Sequence, residues 1–466
     1  MPTNMLPSLP NRWKSSLSLL MSGLLIVPWA GIQSATRADA KQIQLDVALA
    51  QPTMHIGEHG KGENHLRIAL TGFELPGEKM RTPVNVAIVI DKSGSMQGEK
   101  IEQARQAAMA AVDRLRDSDI VAIVTYDSTV QVVLPATKAT DREEIKEQIR
   151  KIQAGGNTAL YAGVEQGAKE IRKFLDDKRV NRVILLSDGL ANVGPDSPAE
   201  LETLGSKLIE DGISVSTMGL GLGYNEDLMS RLALASSGSH VFIESAENLV
   251  QVFQNEFDDV LSVVAQKLSI DVRLAEGIRP VKVLNYPANI DGQMVHLDLG
   301  QLYSHQQRYF VLELEVPYGE DASSRPVGEV TVGYRNMVSE SDEQLTSSVS
   351  VKFTASKEVA EKQVDQEVLS ACVIQIANER NREATRLRDE GKIDAARELL
   401  ESNVDYLNRQ SEQYHLPGLR SRAELNASQA SKLSDPNWGE HRKRMVEGQY
   451  SDAVQQTYLG SGEKTP

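Results

Sequence analysis

The chain has 466 residues, 40% of them hydrophobic and 25% charged, an ordinary balance for folded protein and a length that accommodates roughly two to four domains. Its 65 acidic side chains against 50 basic ones leave a net charge of −15, which argues against nucleic acid and anionic lipid, since both call for basic patches. Cys372 is the single cysteine, so no internal disulfide can form, and its apolar helical neighbours mark it as a small buried hydrophobe.

At the N-terminus, Arg12 and Lys14 precede an apolar stretch from Leu17 to Ile32, and a polar segment then ends in Ala38-Asp39-Ala40. This layout predicts a secretory signal over residues 1–40, cleaved near Ala40, and an exported protein of the periplasm or cell surface. An uncleaved anchor is the alternative, although the run is shorter than the roughly 20 residues a spanning helix needs. No later stretch is apolar enough to cross a bilayer, so no membrane span is expected in the mature chain.

Residues 41–82 carry two period-two patterns, Ile43, Leu45, Val47 and Leu49, then Leu66, Ile68 and Leu70. Between them, His55-Ile56-Gly57-Glu58-His59 fits the spacing of one zinc protease class, with His65 close by. Gly57, Gly60 and Gly62 crowd that link, and a solvated loop fits them better than the helix such chemistry needs.

From residue 83 to 261 the pattern changes. Val84–Ile90, Ile120–Thr125, Val183–Leu186, Ile213–Met218 and Val241–Ile243 are nearly continuous apolar runs, as in strands covered on both faces. Helical spacing intervenes, in Ile101, Ala104, Ala108, Ala111 and Leu115 and again in Leu160, Val164, Gly167, Ile171 and Phe174. The alternation predicts an open, doubly wound, mostly parallel sheet.

Period-two alternation returns over residues 262–355, in Leu268–Leu274, Phe310–Val316, Val330–Tyr334 and Val349–Phe353. Because two strands upstream cannot stand alone, residues 41–82 are expected to join 262–355 in one antiparallel β-sandwich into which the α/β domain is inserted. Two separate flanking modules are the alternative. Residues 356–410 read as a helical hairpin broken at Glu390-Gly391-Lys392, with Ala384 and Leu387 facing Ala395, Leu399 and Leu400. Residues 411–466 are polar and are expected to be partly disordered.

Three loops carry the chemistry. Asp91-Lys92-Ser93-Gly94-Ser95 follows the strand Val84–Ile90, at the carboxyl end where open α/β sheets bind ligands. One carboxylate and two hydroxyls at alternate positions suit Mg²⁺, which takes about six oxygens and keeps several waters. Gly155-Gly156-Asn157-Thr158 turns into a helix, and Ser187-Asp188-Gly189 ends another strand, so Thr158 and Asp188 bring oxygen to the same rim.

D-x-S-x-S after a strand, a G-G-x-T turn and a later S-D-G together resemble the metal-ion-dependent adhesion site of von Willebrand factor A domains, over roughly Val84–Phe257. The resemblance implies that Asp91, Ser93, Ser95 and Thr158 contact the metal and that Asp188 does so directly or through water. It implies Mg²⁺, or Mn²⁺ or Ca²⁺, with an Asp or Glu carboxylate of a protein partner completing the shell. Gly219-Leu220-Gly221-Leu222-Gly223 resembles a later loop of the family and lacks the spacing of a dinucleotide site. The wider architecture is similar to bacterial secreted proteins related to inter-alpha-trypsin inhibitor heavy chains and calcium-activated chloride channel regulators, with no helix here to line a pore.

The expected function is therefore a metal-dependent binding or adhesion module without enzymatic activity. A metal-dependent hydrolase is one alternative, weakened because none of the three loops holds a histidine base or a G-x-S-x-G elbow. A scaffold acting through its helical C-terminal region is the other.

Overall fold

A computed structural model describes residues 42–57, 60–75 and 81–455. The expected export signal lies outside these residues, as do Glu58 and His59 of the histidine motif.

The chain begins with β1 (Gln44–Leu49), β2 (Thr53–His55) and β3 (Lys61–Thr71). It then runs through β4 (Val84–Asp91), α1 (Glu99–Asp113), β5 (Ile120–Tyr126), β6 (Val130–Lys138), α2 (Arg142–Arg150), α3 (Leu160–Arg172) and β7 (Val180–Ser187). α4 (Pro198–Glu210), β8 (Ser214–Leu220), α5 (Glu226–Ala235), β9 (His240–Ile243) and α6 (Leu249–Leu261) complete this part.

β4 to β9 form a six-stranded sheet in the order β6-β5-β4-β7-β8-β9, parallel except at β6. Every residue of β4, β5, β7 and β8 is buried because helices cover both faces. Side-chain alternation along β4 splits the core. Val84, Val86, Ile88 and Ile90 meet α1, α2 and α6, whereas Ala87 and Val89 meet α3, α4 and α5. Since β4 has β5 on one side and β7 on the other, strand order reverses there, and a crevice opens at its carboxyl end.

The flanking strands build two further sheets, with β10 (Val263–Leu274), β11 (Arg279–Val283), β12 (Asn289–Asp291), β13 (Met294–Tyr303), β14 (Gln307–Pro317), β15 (Ser324–Asn336) and β16 (Ser341–Thr354). Their orders are β1-β3-β14-β11 and β12-β13-β10-β15-β16-β2. β3 pairs with β14 from Thr71↔Gln307 to Lys61↔Pro317, so strands far apart in sequence share one ladder. Inward residues of both sheets, among them Ile68, Leu312, Ile270 and Val332, form a common core. The fold is thus α/β with antiparallel sheets beside the parallel one, followed by helices.

Those helices are α7 (Lys357–Lys362), α8 (Gln366–Asp389), α9 (Ile393–Tyr414), α10 (Gly418–Lys432) and α11 (Trp438–Val454). α8 and α9 turn at Gly391, whose φ of +79 favours glycine. Ala384, Leu387, Leu399 and Leu400 cluster across the turn as expected, but Ala396 is the buried partner and Ala395 is exposed. Of the tail expected to be partly disordered, the described part is largely helical, with α9 extending to Tyr414 and α10 and α11 occupying most of residues 418–454, while residues 456–466 lie outside the described residues. The polar composition misled because α11 docks through charges and tyrosine as much as through aliphatic side chains. Lys443 donates to Glu226 Oε2 at 2.5 Å, and the Tyr450 hydroxyl donates to the Gly238 carbonyl at 2.8 Å.

Candidate metal centre

Asp91 is the last residue of β4, fully buried at the crevice. Its Oδ1 accepts the Ser93 amide at 2.8 Å, and its Oδ2 accepts the Ser187 hydroxyl, also at 2.8 Å. These bonds fix the carboxylate as the chain turns into a single 3₁₀ turn, Gly94–Met96, anchored by the buried Met96. Backbone bonds tie this loop to the second one, Gly94 N to Gly156 O at 2.9 Å and Gly155 N to Lys92 O at 2.6 Å. Thr158 is held by Asn192, whose Oδ1 accepts the Thr158 amide at 2.9 Å.

The five sequence-selected residues come together. Ser93 Oγ and Ser95 Oγ are 3.0 Å apart, and Ser95 Oγ donates to Asp188 Oδ1 at 2.6 Å. Gly189 marks the point of convergence: a β-carbon there would lie 3.1 Å from Thr158 Oγ1, 3.4 Å from Ser95 Oγ and 3.9 Å from Ser93 Oγ. Asp188, Ser93 and Thr158 are buried, whereas Ser95 is exposed, so the cluster opens to solvent on the Ser95 side.

The electrostatics are unbalanced. Two buried carboxylates share one cation, Lys100, whose Nζ lies 2.5 Å from Asp188 Oδ2. Burial pushes the Asp91 carboxyl up to about 6, with repulsion from Asp188 adding to it, against the hydrogen bonds from Ser93 and Ser187 that favour the ion. Burial, and after it the nearby Asp91 charge, also drive the Tyr126 hydroxyl up.

Such a site gains from a further positive charge. Its donors are all oxygen, two carboxylates and three hydroxyls, a set that fits a hard divalent cation and lacks the nitrogen and sulfur that zinc favours. Of the histidines and the glutamate of the histidine motif, only His55 falls among the described residues, where it closes a three-residue strand, and among the described residues no three His, Cys, Asp or Glu side chains gather as metal ligands.

Sequence reasoning missed Lys100 and Asn192, which reach the site from outside its three loops, and the hydroxyl of Ser187, read only as part of a turn. The glycines of the loop after β8 serve packing. A β-carbon on Gly223 would stand 2.6 Å from the Asp188 carbonyl, and one on Gly219 would enter the Tyr224 ring.

A doubly wound α/β domain with a rim of carboxylates and hydroxyls at its switch point defines the class. Residues 85–256 match the family model of the von Willebrand factor type A domain, and the chain carries a domain of that family. It is 27% identical to an uncharacterized protein of Synechocystis sp. over 59% of this chain and 66% of that protein. It is 32% identical to the uncharacterized protein YfbK of Escherichia coli over 43% of this chain and 35% of that one. Human inter-alpha-trypsin inhibitor heavy chain H2 matches at 29% identity over 36% of this chain and 18% of its own length. The chain thus spans less than two thirds of each of these relatives. Among solved structures, a von Willebrand factor type A protein from Catenulispora acidiphila superposes with a TM-score of 0.70 at 16% identity, covering 91% of this chain and 99% of that one. The ArnB paralog VWA2 from Sulfolobus acidocaldarius gives 0.60 at 18%, covering 88% and 99%. Both likenesses extend beyond the A domain and concern the fold.

Proposed function

We propose that the chain is a metal-dependent protein-binding module whose Asp91, Ser93, Ser95, Thr158 and Asp188 hold Mg²⁺ or a similar divalent ion. The observation that carries this reading is the convergence of three hydroxyls near Gly189 beside two buried carboxylates that have one lysine between them. When bound, the metal supplies a positive centre on which a partner's Asp or Glu carboxylate can sit. A contact of this kind is short-ranged and directional, and the local ion outweighs the chain's distant net charge.

Binding is favoured over hydrolysis because Ser93 and Ser95 bond to each other and Ser95 donates to Asp188, with no histidine in the three loops to take a proton. Arg12, Lys14, the apolar run and Ala38-Asp39-Ala40 support export to the periplasm or cell surface. Among the described residues no helix is long and apolar enough to cross a membrane.

The test is affinity capture on the full chain from the native cell envelope, in Mg²⁺ and in chelator. A partner retained only with metal, and lost on Asp91→Ala, is expected. A partner retained equally in chelator, or equally by Asp91→Ala, contradicts the reading.

A further inference from the structure

Three arginines are buried among the described residues, and their surroundings differ. Arg67 bonds the carboxylates of Glu367 and Asp46, and Arg182 bonds Ser216, Gln301 and Tyr303. Arg308, on β14 and 4% exposed, has no such acceptor among the described residues. Its guanidinium rests on the rings of Tyr286 and Phe310, 5.8 and 5.9 Å from their centres, and its Nε is sealed from solvent without a bond. Ring faces offset only part of the cost of taking a charge out of water. A positive group so placed favours an anion nearby.

The space for one adjoins Tyr286. Tyr286 and Tyr450 both line a cleft of about 1250 Å³ bounded by α4, α5, residues 283–289, α8 and α11. The Arg308 charge reaches this lining, since it opposes the upward push of burial on the Tyr450 hydroxyl. Leu234 and Val446 make the floor beside the two tyrosines apolar. In the wall, Arg382 of α8 also has no hydrogen bond or ion pair among the described residues. Desolvation by the surrounding protein, and after it the charge of Arg231 on α5, push the Arg382 guanidinium down.

Carboxylates outnumber guanidiniums along the rim, yet nearly all of them are already held. Arg442 lies 2.7 Å from both Asp227 and Asp389, Arg386 takes Glu383 and Glu390, and Lys282 lies 2.5 Å from Glu379. Glu202 is 3.3 Å from Arg231, and Asp298 is 3.4 Å from His296. Among the described residues of the lining, Glu210 is the one carboxylate without a cation beside it, and it is exposed. The charges left uncompensated inside the cleft are therefore Arg308 beneath its floor and Arg382 in its wall.

We propose that this cleft binds a small amphiphile, an anionic carboxylate or phosphate head on an aliphatic body. The head lies against Arg382, over the positive floor that Arg308 creates, and a guanidinium fork matches either head group. The body covers the apolar floor. Inorganic phosphate would leave most of such a volume empty, whereas the volume is of the order of organic-ligand pockets. None of the five candidate metal ligands lines the cleft, so the site does not depend on the metal reading.

Calorimetric titration of the full chain with decanoate, decyl phosphate, decanol and decylamine, each kept below micelle formation, tests the proposal. Decanoate stands for a free fatty acid and decyl phosphate for a phosphorylated lipid, and the tighter of the two identifies the source. One saturable site for at least one of these anions is expected, unaffected by chelator, with decanol and decylamine about tenfold weaker or more. Arg382→Gln, at an exposed position, should weaken the anion about tenfold and leave decanol unchanged. Arg308→Met should weaken it likewise; because that change can also unfold the chain, Arg382→Gln carries the decision. Hydrogen exchange should slow at residues 283–289 and in α11 when the anion binds. No saturable binding of either anion, decanol or decylamine binding as tightly, anion affinity unchanged in Arg382→Gln, or protection confined to other segments would overturn the site.

Discussion

Gly189 and Lys100 are the two residues whose replacement separates the candidate site from its scaffold. An alanine methyl at 189 would stand 3.1 Å from Thr158 Oγ1, among the hydroxyls, and touch little else. Gly189→Ala is therefore expected to lower Mn²⁺ affinity at least about tenfold, a loss of about 1.4 kcal/mol of binding, while the metal-free melting temperature stays nearly unchanged. Lys100 acts in the opposite sense. Its ammonium compensates Asp188 and stands where it repels an incoming cation. Lys100→Met should lower the metal-free melting temperature, because Asp188 loses its partner, and enlarge the rise that Mg²⁺ produces; differential scanning fluorimetry with and without metal checks both. The five candidate ligands were legible because each sits in a short motif, four of them at the end of an apolar strand and Thr158 in a glycine turn ahead of α3. Lys100 was not, since its role depends on how α1 leaves the loop and brings residue 100 against residue 188.

At the scale of elements, β9 and α11 decide how the edge of the parallel sheet is closed. α11 lies over β9, and Glu447 Oε1 accepts the otherwise free Phe242 amide at 3.1 Å. Lys443 donates to Glu226 and to the Tyr224 carbonyl, both bonds buried, and lies over the Tyr224 ring at 4.1 Å. Lys443→Met leaves Glu226 with Arg442 as its remaining cation and the Tyr224 carbonyl without its donor, so it should cost about 2 kcal/mol in urea unfolding and expose α11 to limited proteolysis. β9 also carries a pH signature. His240 is fully buried, with Nδ1 hydrogen-bonded to the Thr217 hydroxyl at 2.9 Å, and burial holds its ring down to about 3. The folded chain keeps this ring neutral where the unfolded chain protonates it near pH 6.5. Its contribution is complete above that pH and is lost as pH falls toward 3, by about 1.4 kcal/mol per unit within that window. Urea midpoints at pH 7 and pH 5 should differ less in His240→Gln than in the unmodified chain. These elements were only partly legible. β9 announced itself as an apolar run, but α11 reads as polar tail because Arg442, Lys443 and Glu447 find their partners on β8–α5 and β9, some two hundred residues away.

Across the whole molecule, period-two and continuous apolar runs distinguished the sandwich strands from the parallel ones, since one face or both faces buried leaves different patterns. Half-exposed β6 escaped notice because Pro135 and polar neighbours blur the alternation of an edge strand. β13 carries a clear signal in Val295, Leu297 and Leu299 that composition alone did not single out. The joint between the parallel and antiparallel parts was invisible in sequence. It rests on the fully buried Arg182 of β7, which donates to Ser216 at 2.6 Å, to Gln301 at 2.5 Å and to Tyr303 at 2.9 Å. That joint leaves the carboxyl edge of β4 free for the candidate centre.

The measurement that bears most directly on that centre is Mn²⁺ titration of the full chain followed by electron paramagnetic resonance of the free ion, run beside Asp91→Ala and Asp188→Ala. One saturable site per chain is predicted, displaced by Mg²⁺ and lost in both variants while circular dichroism stays native. Absence of saturable binding, or binding of equal affinity in the Asp91→Ala variant, would contradict the account.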